Sequence, residues 1–80
     1  MSGTAEDKTL VKLFATLRKG RDKTVHVPWH DSLTPRMILK ELAIPEEEVA
    51  ILLVNGRTGT MDQPLEREDY LSVFPPVGGG

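Results

Sequence analysis

Thr9-Leu10-Val11-Lys12-Leu13-Phe14-Ala15-Thr16-Leu17 leads through Arg18-Lys19-Gly20-Arg21-Asp22 into Lys23-Thr24-Val25-His26-Val27, and this stretch decides the fold. In the first run, extended geometry puts Val11 and Leu13 on one face and Lys12 and Phe14 on the other. In the second, Val25 and Val27 alternate with Thr24 and His26. Two alternating runs joined by a short charged turn around Gly20 predict a β-hairpin over residues 9–27. Pro28 has no N–H to donate and is expected to stop the second strand.

Outward from the hairpin, Thr34-Pro35 is a helix start: Thr34 can cap and Pro35 suits the first helical position. Met37, Ile38, Leu39 and Leu42 supply an apolar stripe, and Pro45 ends the helix near residues 43–44. Pro45-Glu46-Glu47-Glu48 reads as a short 3₁₀ turn. Residues 50–54 are continuously apolar and suit a central strand buried on most of its surface. Asn55-Gly56 predicts a tight turn with positive φ. Residues 57–68 read as irregular, anchored by Leu65. Residues 70–74 form a last strand, with Leu71 and Val73 on one face and Ser72 and Phe74 on the other.

A hairpin, one helix, a strand, an irregular stretch and a final strand make an α+β plan. The first strand is expected beside the last, at the sheet centre. Order and size correspond to the β-grasp (ubiquitin-like) fold, a mixed sheet of four to five strands with one main helix across one face. The expected organisation is a disordered N-terminal arm over residues 1–7, a domain over 8–74 and a flexible Gly-rich tail over 75–80.

Composition narrows the function. Eighty residues hold one domain, too small to enclose a substantial active-site cavity of its own. Cysteine is absent, which removes disulfides, a thiolate nucleophile and Cys-based metal sites. Twelve acids against ten bases give a formal charge of −2, which argues against nucleic-acid binding. No run approaches the roughly 18 apolar residues of a membrane span, and no signal peptide is evident. The expectation is a soluble cytoplasmic domain with no membrane partner.

Catalytic constellations are weak. His26 and His30 are separated by Pro28, which forbids a helix; on a strand they would lie roughly 13 Å apart. No nucleophile with base and orienting group is evident, and no metal site is expected. Glu46-Glu47-Glu48 reads as a solvated acidic turn. Gly56-Arg57-Thr58-Gly59 lacks the ending and the following helix of a phosphate loop.

The chain ends Phe74-Pro75-Pro76-Val77-Gly78-Gly79-Gly80. The two prolines bias the exit toward extended polyproline geometry, and the glycines carry no Cβ. Such an end reads either as a linker stub or as a stiff, directed probe. As a probe it can enter a narrow channel in a partner enzyme, where its carboxylate would be activated by transfer of AMP from ATP. Sulfide or persulfide attack would then leave a terminal thiocarboxylate.

The sequence resembles the sulfur carriers of the MoaD/ThiS family, closest to the small subunit of molybdopterin synthase. The resemblance spans residues 8–80. It rests on Val11-Lys12-Leu13-Phe14-Ala15-Thr16-Leu17-Arg18, on Leu53-Val54-Asn55-Gly56-Arg57, on Leu65, Asp69 and Val73, and above all on Phe74-Pro75-Pro76-Val77 leading into the glycines. It implies that Gly80, presented by Pro75, Pro76, Val77, Gly78 and Gly79, is adenylated by an E1-like enzyme and thiocarboxylated. Sulfur would then pass to a pterin precursor in the large synthase subunit, during molybdenum or tungsten cofactor synthesis. ATP and a sulfur donor are used through the activating enzyme, with no cofactor bound to this chain and no catalysis by the chain alone. The exposed sheet face is implied to dock both partners, with Phe14, Phe74 and Arg57 as contacts; ordinary core packing is the plainer role for each Phe. Related readings are a carrier for thiamine or tRNA thiolation, and a ubiquitin-like protein modifier. Two departures stand out: Arg67-Glu68-Asp69 replaces a glycine-containing turn, and Gly78 stands where a side chain is usual. Trp29 fits either a partner contact or a local plug over the helix start.

Overall fold

A computed structural model describes residues 7–18 and 20–76 of the chain. The hairpin strands are β1 (Lys8–Leu13) and β2 (Thr24–Pro28), followed by helix α1 (Pro35–Glu41) and strands β3 (Ile51–Val54), β4 (Arg57–Thr58) and β5 (Tyr70–Phe74). Short 3₁₀ turns occupy Ala15–Arg18 and Glu46–Glu48. Among the described residues one five-stranded sheet runs in the order β2-β1-β5-β3-β4. β1 and β5 are parallel, and the other neighbours are antiparallel. This is the mixed β-grasp expected from the sequence, with β1 and β5 side by side.

One sheet face is the core. Val11, Leu13, Val27, Leu52, Val54, Leu71 and Val73 project from the strands and meet Ile38 and Leu39 of α1. Leu17, Leu33, Ile44 and Leu65 close the cluster from the connections. Each fully buried aliphatic side chain contributes roughly 1.5–3 kcal/mol relative to exposure.

α1 begins and ends for identifiable reasons. Thr34 is extended (φ −127°, ψ 162°), and its hydroxyl accepts a hydrogen bond from the Met37 N–H at 3.4 Å. At the other end the Ile44 N–H donates to the Leu39 carbonyl and the Ala43 N–H to the Lys40 carbonyl. That is a Schellman ending, and it puts Ala43 at φ 59°. The Arg21 guanidinium donates to the Leu42, Ala43 and Leu17 carbonyls, tying the hairpin turn to the helix end. Left-handed backbone costs a residue with a Cβ about 1–2 kcal/mol, offset in part by glycine's greater unfolded entropy. Ala43→Gly is therefore expected to stabilise the domain by about 0.5–1 kcal/mol, read as a higher urea midpoint at unchanged slope.

Several local expectations are corrected. The strand predicted over 9–17 stops at Leu13, because Ala15 takes φ 55° and turns the chain into a 3₁₀ segment. That turn still delivers Leu17 to the core, 1% exposed. Residues 51–54 are not covered on both faces: Leu52 and Val54 are buried while Ile51 is 51% exposed. The stretch after Asn55-Gly56 is not wholly irregular. Asn55 (φ 54°) and Gly56 (φ 81°) make the expected positive-φ turn, and β4 follows, pairing Val54 with Arg57 and Leu53 with Thr58. Pro28 is the last residue of β2 rather than the residue beyond it; it is tolerated because β2 is an edge strand.

Two open points of the sequence reading resolve structurally. Trp29 is a local plug: its indole N–H donates to the Leu65 carbonyl at 2.9 Å, and its half-buried ring packs against the core. It seals the loop around Leu65 rather than the helix start, with Arg67 4.9 Å above the ring. The turn before β5 manages without glycine. The Asp69 carboxylate accepts from the Glu66 N–H at 2.7 Å and the Asp69 N–H donates to the Glu66 carbonyl, with no left-handed residue among 66–69.

Candidate functional site

α1 covers one sheet face; the alternate positions of the same strands face away from it. From β1 these are Lys8, Leu10 and Lys12, and from β5 Tyr70, Ser72 and Phe74. β3 adds Ile51 and Leu53, which stand opposite Phe74 and Ser72. Phe14 follows β1 directly, and its N–H donates to the Val73 carbonyl at 3.2 Å. That bond carries β1 pairing one residue past the strand and sets Phe14 beside Phe74.

The two rings stack, centroids 4.2 Å apart and planes 9° from parallel. Such a pair contributes about 0.5–1.5 kcal/mol beyond area burial. Both residues are half-buried. They hide part of each other rather than entering the core, so the plainer core role does not describe them. Leu10, Leu53 and the exposed Ile51 extend the apolar surface around the pair. Contiguous apolar surface outside the core of a small domain marks an interaction site.

Cations frame this surface. Lys12 Nζ lies 4.9 Å from the Tyr70 ring centroid. The Arg18 guanidinium lies 5.8 Å from the Phe14 centroid, steadied by Nε donating to the Leu13 carbonyl at 3.0 Å. Ser72, although on an outward position, is buried (6% exposed) between Lys12 and Leu53 in the register.

Beyond β5 the described residues continue only through Pro75 and Pro76. The Phe74 carbonyl accepts from the Ala50 N–H at 2.8 Å, the last sheet bond, and Pro75 beyond it is half-buried while Pro76 is exposed. The predicted site residues Val77, Gly78, Gly79 and Gly80 lie outside the described residues.

Arg57 is not brought together with the phenylalanines. It is exposed on β4 at the sheet edge, opposite the inward-facing Val54, which puts it on the helix side. The Leu53-Val54-Asn55-Gly56-Arg57 stretch instead supplies a polar lock. Asn55 Nδ2 donates to Asp69 Oδ1 at 2.7 Å, and Asn55 Oδ1 accepts from the Tyr70 N–H at 3.0 Å. The lock fixes the β3–β4 turn to the start of β5.

Leu10, Lys12, Ile51 and Leu53 were not singled out by sequence reasoning. Leu10 and Lys12 share the parity of Phe14, which is a usable signal. Ile51 and Leu53 sit in an unbroken apolar run that carries none.

The helix layer has its own electrostatics. Arg36 donates to both Asp62 oxygens (Nε–Oδ1 2.8 Å, Nη2–Oδ2 3.1 Å) and to Glu46. The hydrogen bond from Arg36 holds the Asp62 carboxyl below the usual carboxylate range, and the Arg36 guanidinium is held above its own by Asp62 and then Glu46. Among the described residues no three His, Asp or Glu side chains group to hold a metal ion, and no helix is long and apolar enough to cross a membrane.

The model of the ThiS family matches residues 11–80, nearly the whole chain and the entire tail. The chain belongs to the ThiS family. No sequence among curated proteins matches this ThiS-family chain. Among solved structures it is similar to SAMP1 from Haloferax volcanii, at 29% identity and TM-score 0.72 over 91% of this chain and 99% of that one. It is also similar to a putative molybdopterin converting factor, subunit 1, from Pyrococcus furiosus: 27% identity, TM-score 0.68, 88% of this chain and 98% of that one. A third is the Haloferax volcanii HVO 2177 protein, at 29% identity and TM-score 0.67 over 100% of this chain and 94% of that one. This ThiS-family chain is thus a small ubiquitin-fold protein of the ThiS/MoaD-like sulfur-carrier or small-modifier kind.

Proposed function

We propose that the chain is a sulfur carrier whose reactive group is the carboxylate of Gly80. The observation that carries this is the reach of the family match: the ThiS model runs through residue 80, over the Phe74-Pro75-Pro76-Val77 lead and the glycines that follow it in the sequence. An E1-like enzyme binds the face, and the Gly80 carboxylate attacks the α-phosphorus of ATP, releasing pyrophosphate and forming an acyl-adenylate. Hydrosulfide equivalent from a donor then displaces AMP and leaves a thiocarboxylate. Glycines suit this because a channel narrow enough to keep water from the mixed anhydride has no room for a Cβ.

The recipient we favour is a pterin precursor held by the large subunit of molybdopterin synthase, in the cytoplasm, with this chain as the non-catalytic small subunit. The likeness to the Pyrococcus furiosus protein and the Pro-Pro lead into the glycines support that choice. A second reading, conjugation of Gly80 to target lysines, is supported by the likeness to SAMP1. ATP and the sulfur donor belong to the activating enzyme in either case.

Incubation with the activating enzyme of the same genome, ATP and sulfide is expected to change the intact mass by one oxygen-for-sulfur exchange. Subsequent addition of the large subunit and pterin precursor should return the original mass. Persistence of the thiocarboxylate there, with the C-terminal peptide of this chain found joined to cellular lysines, would favour the modifier. An unchanged mass in the first step contradicts the carrier reading.

Phe74→Ala is expected to weaken docking of the activating enzyme by roughly 1–3 kcal/mol, the range of an interface hot spot. Titration calorimetry reads the affinity, and a urea midpoint lowered by no more than the about 0.5–1.5 kcal/mol of the lost ring stack shows that the ring belongs to the interface rather than the core.

A further inference from the structure

We infer that the open sheet face selects partners whose apolar docking patch is rimmed by carboxylates, with Lys12 and Arg18 as the charge anchors on this side. The inference rests on the docking role given to this face under the proposed function. It concerns which surface the face accepts, and not what happens at Gly80.

The chain as a whole is acidic, with 12 Asp and Glu against 10 Lys and Arg. The open face reverses that balance. The positions of all five strands that face away from α1 include Lys8 and Lys12, and no carboxylate stands at any of them. The acids are confined to α1, the turns and the terminal arm.

Two of the cations are also placed. Lys12 is held over the Tyr70 ring and Arg18 over the Phe14 ring, the latter by its bond to the Leu13 carbonyl. Arg18 therefore flanks the Phe14–Phe74 stack and Lys12 the Tyr70 ring farther along β5, each with its position largely set before binding, which reduces the ordering cost on association. Neither has an ion-pair partner among the described residues. Ion pairs at the edge of an apolar patch chiefly raise association rates and reject wrong partners, and they are screened by salt. A single-stranded nucleic acid would also welcome cations and aromatics, but it needs ring faces free for bases. Here the phenylalanines stack on each other and the Tyr70 ring is covered by Lys12.

The test uses the full-length chain as substrate of its activating enzyme, read as ATP–pyrophosphate exchange. The wild-type KM is expected to rise about tenfold between low salt and about 0.5 M salt. The pair Lys12→Glu with Arg18→Glu should raise KM about tenfold or more at low salt, leave kcat within about twofold, and abolish or reverse the salt effect. Lys12→Arg with Arg18→Lys should restore most of the wild-type KM, which a merely structural role of these side chains would not predict. A salt-independent wild-type KM, or an unchanged KM in the charge-reversed pair with an unchanged urea midpoint, overturns the inference. So does tighter binding of a single-stranded oligonucleotide than of the enzyme, measured by anisotropy. No exchange by wild type at any salt would instead defeat the carrier reading itself; the affinity of the enzyme for wild type and the charge-reversed pair, read by calorimetry, then decides the inference by the same salt and charge criteria.

Discussion

A chain lacking only Gly80 is expected to show no ATP–pyrophosphate exchange and no sulfur incorporation with its activating enzyme, while binding that enzyme with nearly unchanged affinity. The split follows from the division of labour that the proposed function gives the molecule. In that proposal affinity resides in the open face, where Phe14, Phe74, Ile51 and the flanking cations are untouched by the truncation, and reactivity resides at one carboxylate. Shortening the tail by a residue withdraws that group by about 3.3–3.6 Å, the span of one extended residue. A near-attack geometry tolerates far less, since reacting atoms must approach within about 3–3.5 Å. Calorimetry and the exchange assay run on one preparation read both halves. Parallel loss of binding would place the tail among the affinity contacts and break the separation.

Leu71→Ala is expected to carry the largest stability loss, about 3–5 kcal/mol. Leu71 is fully buried in β5, the middle strand of the sheet, between Val11 of β1 and Val54 of β3. Neighbours on both sides are held by strand pairing, so the cavity cannot collapse by a simple shift. A domain of this size has about 4–12 kcal/mol in total, so the variant loses a large fraction of it. The urea midpoint should fall steeply at unchanged slope. Phe74→Ala, three residues along the same strand and on the opposite face, should lower the midpoint much less, by the about 0.5–1.5 kcal/mol of its stack on Phe14. The contrast between the two substitutions reads which face of β5 is core.

Much of this was legible because period-two alternation carries facing directly. Alternation sets Val11 and Leu13 against Lys12 and Phe14, and Leu71 and Val73 against Phe74, on the faces the structure shows, and that places the Phe pair. Thr34-Pro35 and Asn55-Gly56 were legible because each has a local stereochemical cause, a capping hydroxyl and a positive-φ turn. Elements set by tertiary context were not. β4 is two residues long and exists because the turn aims it back along Val54 and Leu53. The early end of β1 depends on Ala15 in a left-handed conformation that its side chain does not favour. The direction of Arg57 depends on the register of that short strand, and the role of Asn55 as a polar lock depends on Asp69 across the sheet. Alternation also hides in uniformly apolar runs, which is why Ile51 was invisible as a surface residue. The tail is the reverse case: its six residues, 75–80, are legible through composition alone.

The most direct test of the central claim is top-down fragmentation mass spectrometry of the chain isolated from its own cells under conditions that preserve thioacids. The account predicts a subpopulation in which one oxygen is replaced by sulfur, with the exchange confined to fragments that contain Gly80. A chain carrying no sulfur exchange, or carrying it on fragments that exclude Gly80, would contradict it.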